Sequence, residues 1–374
     1  MEALILSCGT GGGHNAAGKA LEEEWKKRGY QVTFLNPYTL KSERMAKIID
    51  YLYVDIVQKT PLLFGIIYQI GNLYRKLPVK SPVYYINGKM TGLLYRYLEE
   101  KKPDVILMPH LYPAEIITQM KAQGYPLPCT VFVGTDYSGI PFTEETDCDY
   151  YMIPAADLKK TYIERGMNPE KLYPYGIPVS GSFAARTDRQ ALRKSLRLRP
   201  DRKYIIVTGG SMGAGNLKKA VELLHVHYRG TDKKIIVICG NNKKLYRQLK
   251  KRYGKAMQIL LYTDKMADYM KACDLLLSKP GGLSSTEAAV AEIPLIHITP
   301  IPGCETLNMQ YFQEKGMSVA MPVIEERLCA CCDKLLAEDG ERQKERQRRH
   351  ISKRAARKIC DFVEEKVRQV QKGR

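Results

Sequence analysis

The stretch GTGGGHNAAGKA, Gly9 to Ala20, sets a histidine directly behind four glycines. Glycines without side chains let another molecule approach the backbone closely, and an imidazole is basic enough near neutral pH to take a proton from a hydroxyl. Two nucleotide-binding patterns almost fit. GxxxxGK[ST] runs from Gly13 to Lys19, but Ala20 stands where a hydroxyl would hold magnesium. A dinucleotide fingerprint matches Gly9 and Gly11, but His14 takes the third glycine's place, and the next strand ends in Asn36 rather than a ribose-binding acid. Neither ATP nor NAD suits the loop. What remains is a turn, Gly11, Gly12 and Gly13, that admits a substrate beside His14 at a helix start. There the helix dipole lowers the imidazole pKa, as a general base requires. The competing reading makes His14 a plain helix cap.

Two further glycine loops lie in the second half. TGGSMGAGN, Thr208 to Asn216, follows the strand-like YIIV, and its N–H groups with Ser211 suit phosphate oxygens at a helix N-terminus. SKPGGLSSTEAAVAEIPLI is more specific. The apolar run DLLLS ends at Gly281 and Gly282, and a helix is expected near Ser284 with Glu287 three residues on. Either Ser284 and Glu287 form a capping box, or the Glu287 carboxylate accepts two hydrogen bonds from a ribose diol. Downstream, PIPGCETLN sets Glu305 and Asn308 on a first helical turn, where they would grip sugar hydroxyls.

Repeated strand–helix units must position these loops. ALILSC, QVTFLN, DVILMPH and CTVFVGT, then YIIVTGG, KIIVICG, MQILLYT, DLLLSKPGG and PLIHIT, read as strands with helical segments between them. In the first such helix Ala17, Leu21 and Trp25 share a face and Gly29 stops it. Two series of βα units predict two doubly wound α/β domains, with ligands at the carboxyl ends of the strands. The polar, basic stretch Gly181 to Lys203 holds the seam, which predicts domains 1–185 and 186–345 and a basic helical tail over 346–374. Residues 51–97 break the rhythm, mixing Tyr, Leu, Ile and Phe with Lys and Arg. That mixture suits an insert resting at a membrane interface, or a helical insert packed on its own sheet.

The totals set bounds. A chain of 374 residues, 44% apolar and 26% charged, is a soluble globular protein of two domains, with no secretory signal and no apolar run long enough to span a bilayer. Its formal charge of +19 predicts a polyanionic partner, nucleic acid or anionic membrane. From Gly340 onward thirteen Lys/Arg stand against five Asp/Glu, as an anion-binding tail or a solvated helix. Ten cysteines without an export signal read as reduced thiols. Cys329, Cys331 and Cys332 lack paired spacing or a nearby histidine, so buried thiols are expected there rather than zinc.

Taken jointly, SCGTGGGHNAAGKAL, VGTDY near Asp136, GGSMG, YTDKM and SKPGGLSSTEAAVAEIPLI…PGCETLN resemble glycosyltransferase family 28 in its diacylglycerol-glycosyltransferase branch, across nearly the whole chain. The resemblance implies a GT-B fold of two facing Rossmann-like domains with a cleft between them, and a C-terminal helix returning to the first. It implies a UDP-sugar donor, a membrane-lipid acceptor such as diacylglycerol, inversion at the anomeric carbon and no required metal or cofactor. By the same resemblance Gly210, Ser211 and Gly213 hold the diphosphate, and Gly281 and Gly282 belong to the donor site. The backbone at Thr263 meets the uracil, Glu287 the ribose hydroxyls, and Glu305 and Asn308 face the hexose. His14 deprotonates the acceptor, or Asp136 does. Two departures stand out: Ile140 where the branch has a histidine after its TD pair, and Cys304 where a Gln often precedes the sugar-contacting acid. The expected setting is cytoplasmic, peripheral on the inner face of the membrane, with no nucleic-acid partner. Rival expectations are a polyprenyl-linked acceptor, a non-catalytic membrane-docked UDP-sugar sensor and a nucleotide-sugar epimerase.

Overall fold

The computed structural model describes residues 1–9, 12–59, 61–75, 77 and 79–372, the side chains of 52–64 excepted. Two units emerge: residues 1–180 with 354–374, and residues 181–353. The divisions thus fall at 180/181 and 353/354, where the composition had suggested 185/186 and 345/346.

The first unit is built on β1 (Glu2–Leu6), β2 (Gln31–Leu35), β3 (Val105–Met108), β4 (Cys129–Val133), β5 (Tyr150–Met152) and β6 (Leu172–Tyr173). All pair in parallel, in the order β2-β1-β3-β4-β5-β6. Strands such as VILM are buried along their whole length, because helices cover both faces. On one face α1 (Gly12–Lys27) presents Leu21 and Trp25, and the closing helix Ala355–Lys372 adds Ile359, Val363 and Val367. Arg28 ties the two helices through Glu364 at 3.0 Å and Asp361 at 2.8 Å. Gly29, at φ +77°, ends α1 as its lack of a Cβ allows. The other face is covered by α5 (Thr91–Lys101) and α6 (Leu111–Ala122). Between β2 and β3 the chain also runs through α2 (Glu43–Lys59), α3 (Pro61–Tyr74) and α4 (Pro82–Gly88).

The second unit repeats the plan with β7 (Lys203–Thr208), β8 (Lys233–Ile238), β9 (Gln258–Leu260), β10 (Leu275–Ser278), β11 (Leu295–Ile298) and β12 (Val319–Met321). The order is β12-β11-β10-β7-β8-β9, again parallel. The helix Arg327–Leu336 buries Cys329 and Cys332 in this core, where burial raises both thiol pKa values.

Each sheet reverses its winding once. In the first, the chain leaves β1 for β2 and returns to β3 on the other side of β1. In the second, β7 runs outward to β8 and β9 before β10 lands beside β7. Connections on opposite faces part at these points and leave room for a ligand. The strand ends of β1, β3, β7 and β10 are therefore where chemistry is expected, and His14, His110, GGSMG and SKPGG follow or close them. Among the described residues no helix is long and apolar enough to cross a membrane.

Candidate active site

His14 is the third residue of α1, inside its first turn rather than at its cap. Its Nδ1 lies 2.8 Å from the Pro109 carbonyl oxygen and 2.9 Å from Thr135 Oγ1. A carbonyl has no proton to give, so Nδ1 carries the hydrogen and Nε2 keeps its lone pair. Burial is the largest influence on the ring and lowers its pKa; Asp136 and the Pro109 hydrogen bond act the other way without reversing that. The imidazole is thus neutral and basic, with a carboxylate near enough to stabilise the cation that a captured proton creates. His14 and Asp136 come together as candidate base and partner, both at strand ends of one sheet.

His110 was not singled out in the sequence. It follows β3 directly, across the winding reversal from the glycine loop, and its ring meets His14 edge to face with centroids 4.6 Å apart. Its Nδ1 accepts the Tyr112 N–H at 3.1 Å and caps α6. Burial and then His14 hold its pKa well below the ordinary range, so it stays neutral and does not compete for the proton. Gly12 and Gly13 form the first turn of α1, with Gly12 exposed; Gly11 lies outside the described residues.

These shifts fix a pH dependence. The His14 pKa lies below its ordinary value, so the base form predominates at neutral pH and the acid limb of turnover falls at lower pH than a free imidazole would place it. Because Asp136 raises this pKa, Asp136→Asn is expected to move the acid limb to lower pH and slow the plateau, as a pH–rate series would read. The same burial costs stability on acidification. Below the ordinary pKa the unfolded chain binds a proton that the folded chain refuses.

In the second unit the GGSMG loop turns on Gly210 (φ +69°) and Gly213 (φ +59°), and a Cβ on Gly213 would stand 2.1 Å from the Cys239 carbonyl oxygen. Ser211 sits partly exposed between them. Across the β7–β10 reversal lies Lys279, a second residue that sequence reasoning passed over. Its side chain comes within 3.2 Å of where a Gly210 Cβ would be, and its ammonium binds Glu305 at 2.5 Å. A buried cation beside a glycine loop is what a diphosphate calls for. Thr299 is the third such residue. At φ +43°, beyond β11, it holds strained backbone against Gly215, and its buried hydroxyl has no hydrogen-bond partner among the described residues.

The helix of the SKPGG loop runs Gly282–Val290, with Gly281 as its N-cap. It starts two residues before Ser284, so Ser284 and Glu287 do not form the capping box that the sequence allowed. Burial pushes the Glu287 carboxyl up to about 8. A neutral carboxyl both donates and accepts, which two adjacent ribose hydroxyls can match. Glu305 and Asn308 differ from expectation. The second Glu305 oxygen accepts the Ile301 N–H at 2.9 Å, and Asn308 is wholly buried, donating to the Pro280 carbonyl at 3.1 Å. Both hold the loop from within, because the helix Cys304–Glu314 turns its first-turn polar face inward onto SKPGG. Thr263 stands apart, past β9 and two strands from β7, where its hydroxyl accepts the Lys265 N–H at 3.1 Å.

Comparison with known proteins fits this geometry. The family model described as monogalactosyldiacylglycerol (MGDG) synthase matches residues 14–179, and the glycosyltransferase family 28 C-terminal domain matches residues 204–361. A processive diacylglycerol beta-glucosyltransferase of Bacillus licheniformis is 25% identical over 370 residues, covering 97% of this chain and 94% of that protein. MurG of Acinetobacter baumannii superposes with a TM-score of 0.61 at 15% identity, over 97% of this chain and 99% of that one. A UDP-N-acetylglucosamine 2-epimerase from Listeria monocytogenes, itself described as putative, gives 0.65 at 12%, over 98% and 97%. Such distant structural likeness fixes the GT-B fold and does not separate transferase from epimerase. The two family models do.

Proposed function

Because the chain belongs to glycosyltransferase family 28, and is a UDP-sugar-dependent hexosyltransferase acting on a lipid, we propose that it transfers a hexose with inversion to diacylglycerol at an anionic membrane surface. The observation that carries this reading is the His14 tautomer, with Nε2 left basic at a strand-end site built for a ligand. The acceptor oxygen attacks the anomeric carbon as its proton passes to Nε2, and the bond to the diphosphate breaks on the opposite side. Asp136 stabilises the imidazolium. The departing charge is met by the GGSMG amides, the N-terminus of helix Gly282–Val290 and Lys279, so no metal is required. Attack from the far side on an α-linked UDP-hexose yields a β-glycoside, the configuration named for the Bacillus relative.

The acceptor's setting is read from the helices between β2 and β3. Ile66, Ile67, Ile70 and Leu73 of α3 stand 47 to 68% exposed, with Tyr85 and Ile86 of α4 at 61%. Exposed Arg44, Lys47, Lys80 and Lys89 lie among the same helices. An apolar stripe with basic residues beside it suits the interface of an anionic leaflet, where the protein rests as a peripheral, cytoplasm-facing enzyme.

The test incubates the protein with UDP-glucose, UDP-galactose and UDP-N-acetylglucosamine and with phosphatidylglycerol vesicles carrying diacylglycerol or a polyprenyl phosphate. Mass spectrometry and NMR of the lipid fraction read the product. A β-glycosyl diacylglycerol is expected. Transfer only to the polyprenyl lipid would correct the acceptor. An epimerised UDP-sugar formed without any lipid, or UDP-sugar binding without turnover, would overturn the proposal.

A further inference from the structure

The helices between β2 and β3 reach the two loops of the His14–Asp136 pair at separate places. From α2, Asp50 Oδ1 accepts the Gly9 N–H at 2.8 Å. The approach is close enough that a Cβ on Gly9 would lie 2.2 Å from the other carboxylate oxygen. Gly9 stands three residues past β1 and five before His14. From α3 and the segment leading into α4, the chain holds the loop that opens with Asp136. Arg75 pairs with Glu144 at 3.3 Å, and the Tyr74 ring meets Phe142 edge to face at 6.3 Å. The Ser81 N–H binds the Glu145 carboxylate, and the Lys80 ammonium its carbonyl, each at 2.9 Å. One element therefore grips both catalytic loops while presenting Ile48, Tyr51 and the α3 stripe outward.

Asp50 is the sharper of these contacts. Its carboxyl is taken partly out of water, which raises its pKa, and the Gly9 N–H offsets that only in part. Desolvating a carboxylate is costly, and one backbone amide is a small return in stability. A Cβ at position 9 would crowd the carboxylate in this arrangement.

We propose that Asp50 is a positioning residue for transfer, holding the chain at Gly9, five residues before His14, so that His14 keeps Nε2 aimed at the acceptor oxygen and the lipid-facing insert becomes part of the catalytic geometry. This rests on the transfer reading above. A misplacement of about 1 Å at a reacting group costs on the order of a hundredfold in rate, so loss of this tether acts on kcat. Asp50→Ala is expected to lower kcat roughly ten- to a hundredfold, with the donor KM, vesicle affinity and melting temperature unchanged. Asp50→Asn keeps an oxygen that accepts from Gly9 and is expected to restore most of the rate.

An activity-independent measurement accompanies the kinetics. The ¹⁵N spectrum of labelled His14, assigned with His14→Asn, should show a single Nδ1–H tautomer in the wild type and in Asp50→Asn. In Asp50→Ala it should show averaging of both tautomers. A wild-type kcat or an unchanged His14 spectrum in Asp50→Ala would overturn the positioning role, as would equal defects in the Ala and Asn variants. Absence of lipid transfer by the wild type would instead overturn the transfer reading, and the spectra would still decide for or against the tether.

Discussion

His14→Ala is expected to reduce sugar transfer by about a hundred- to ten-thousandfold, the range a positioned general base contributes. That corresponds to roughly 3–5 kcal/mol of transition-state stabilisation. UDP binding, read by calorimetry, should be unchanged, because the residues assigned to the diphosphate belong to the second unit. His14→Asn is the sharper variant. Its amide N–H can still donate to the Pro109 carbonyl, which the imidazole meets at 2.8 Å, so the turn keeps its anchor while the base is gone. If both variants turned over within threefold of the wild type, His14 would only anchor α1 to the Pro109 carbonyl and the proton would go elsewhere, with Asp136 the first alternative. A slow rate that had lost the wild type's fall on acidification would identify the lost group as the titrating one.

The fold was largely legible because buried parallel strands announce themselves. VILM and LLLS are continuous apolar runs ending in histidine or glycine loops, and nine of the strands follow such runs. Tyr150–Met152, Leu172–Tyr173 and Val319–Met321 escaped notice at two or three residues each, too short for any periodicity to register. Each extends its sheet at or near an edge, where a neighbour supplies the hydrogen bonds that the local sequence does not advertise. The GGSMG loop was legible for a similar reason, since Gly210 and Gly213 hold positive φ and a Cβ on Gly213 would meet the Cys239 carbonyl. His110, Lys279 and Thr299 were not. A lone histidine after a strand, a lysine before a proline and a threonine with φ +43° acquire meaning only once the winding order sets one strand end beside another. Glu305 and Asn308 show the converse. Glu305 lies on the first helical turn and Asn308 one residue beyond it, but which way they face is decided by packing across β10 and β11, and they face inward.

That inward turn carries the second large effect. Lys279 and Glu305 are each about a tenth exposed, so their charges are paired in a poorly hydrated place. Removing one partner from such a pair leaves a buried, uncompensated charge and typically costs about 3–5 kcal/mol, whereas replacing both with apolar residues is often close to neutral. Glu305→Ala is therefore expected to destabilise the second unit by about 3 kcal/mol or more, and Lys279→Met with Glu305→Leu by much less than the two single changes together. The single tryptophan makes the assignment direct: Trp25 lies in the first unit, so its fluorescence follows that unit while circular dichroism follows both. In Glu305→Ala the dichroism midpoint in urea should fall ahead of the fluorescence midpoint. In the double variant the two should nearly rejoin, yet UDP affinity should fall below that of the wild type, because Lys279 is the cation assigned to the diphosphate. Full recovery of UDP binding alongside stability would reduce the pair to a packing device and leave the loop amides alone to hold the phosphates. Strictly additive losses would show that the two charges do not depend on each other, against their 2.5 Å separation.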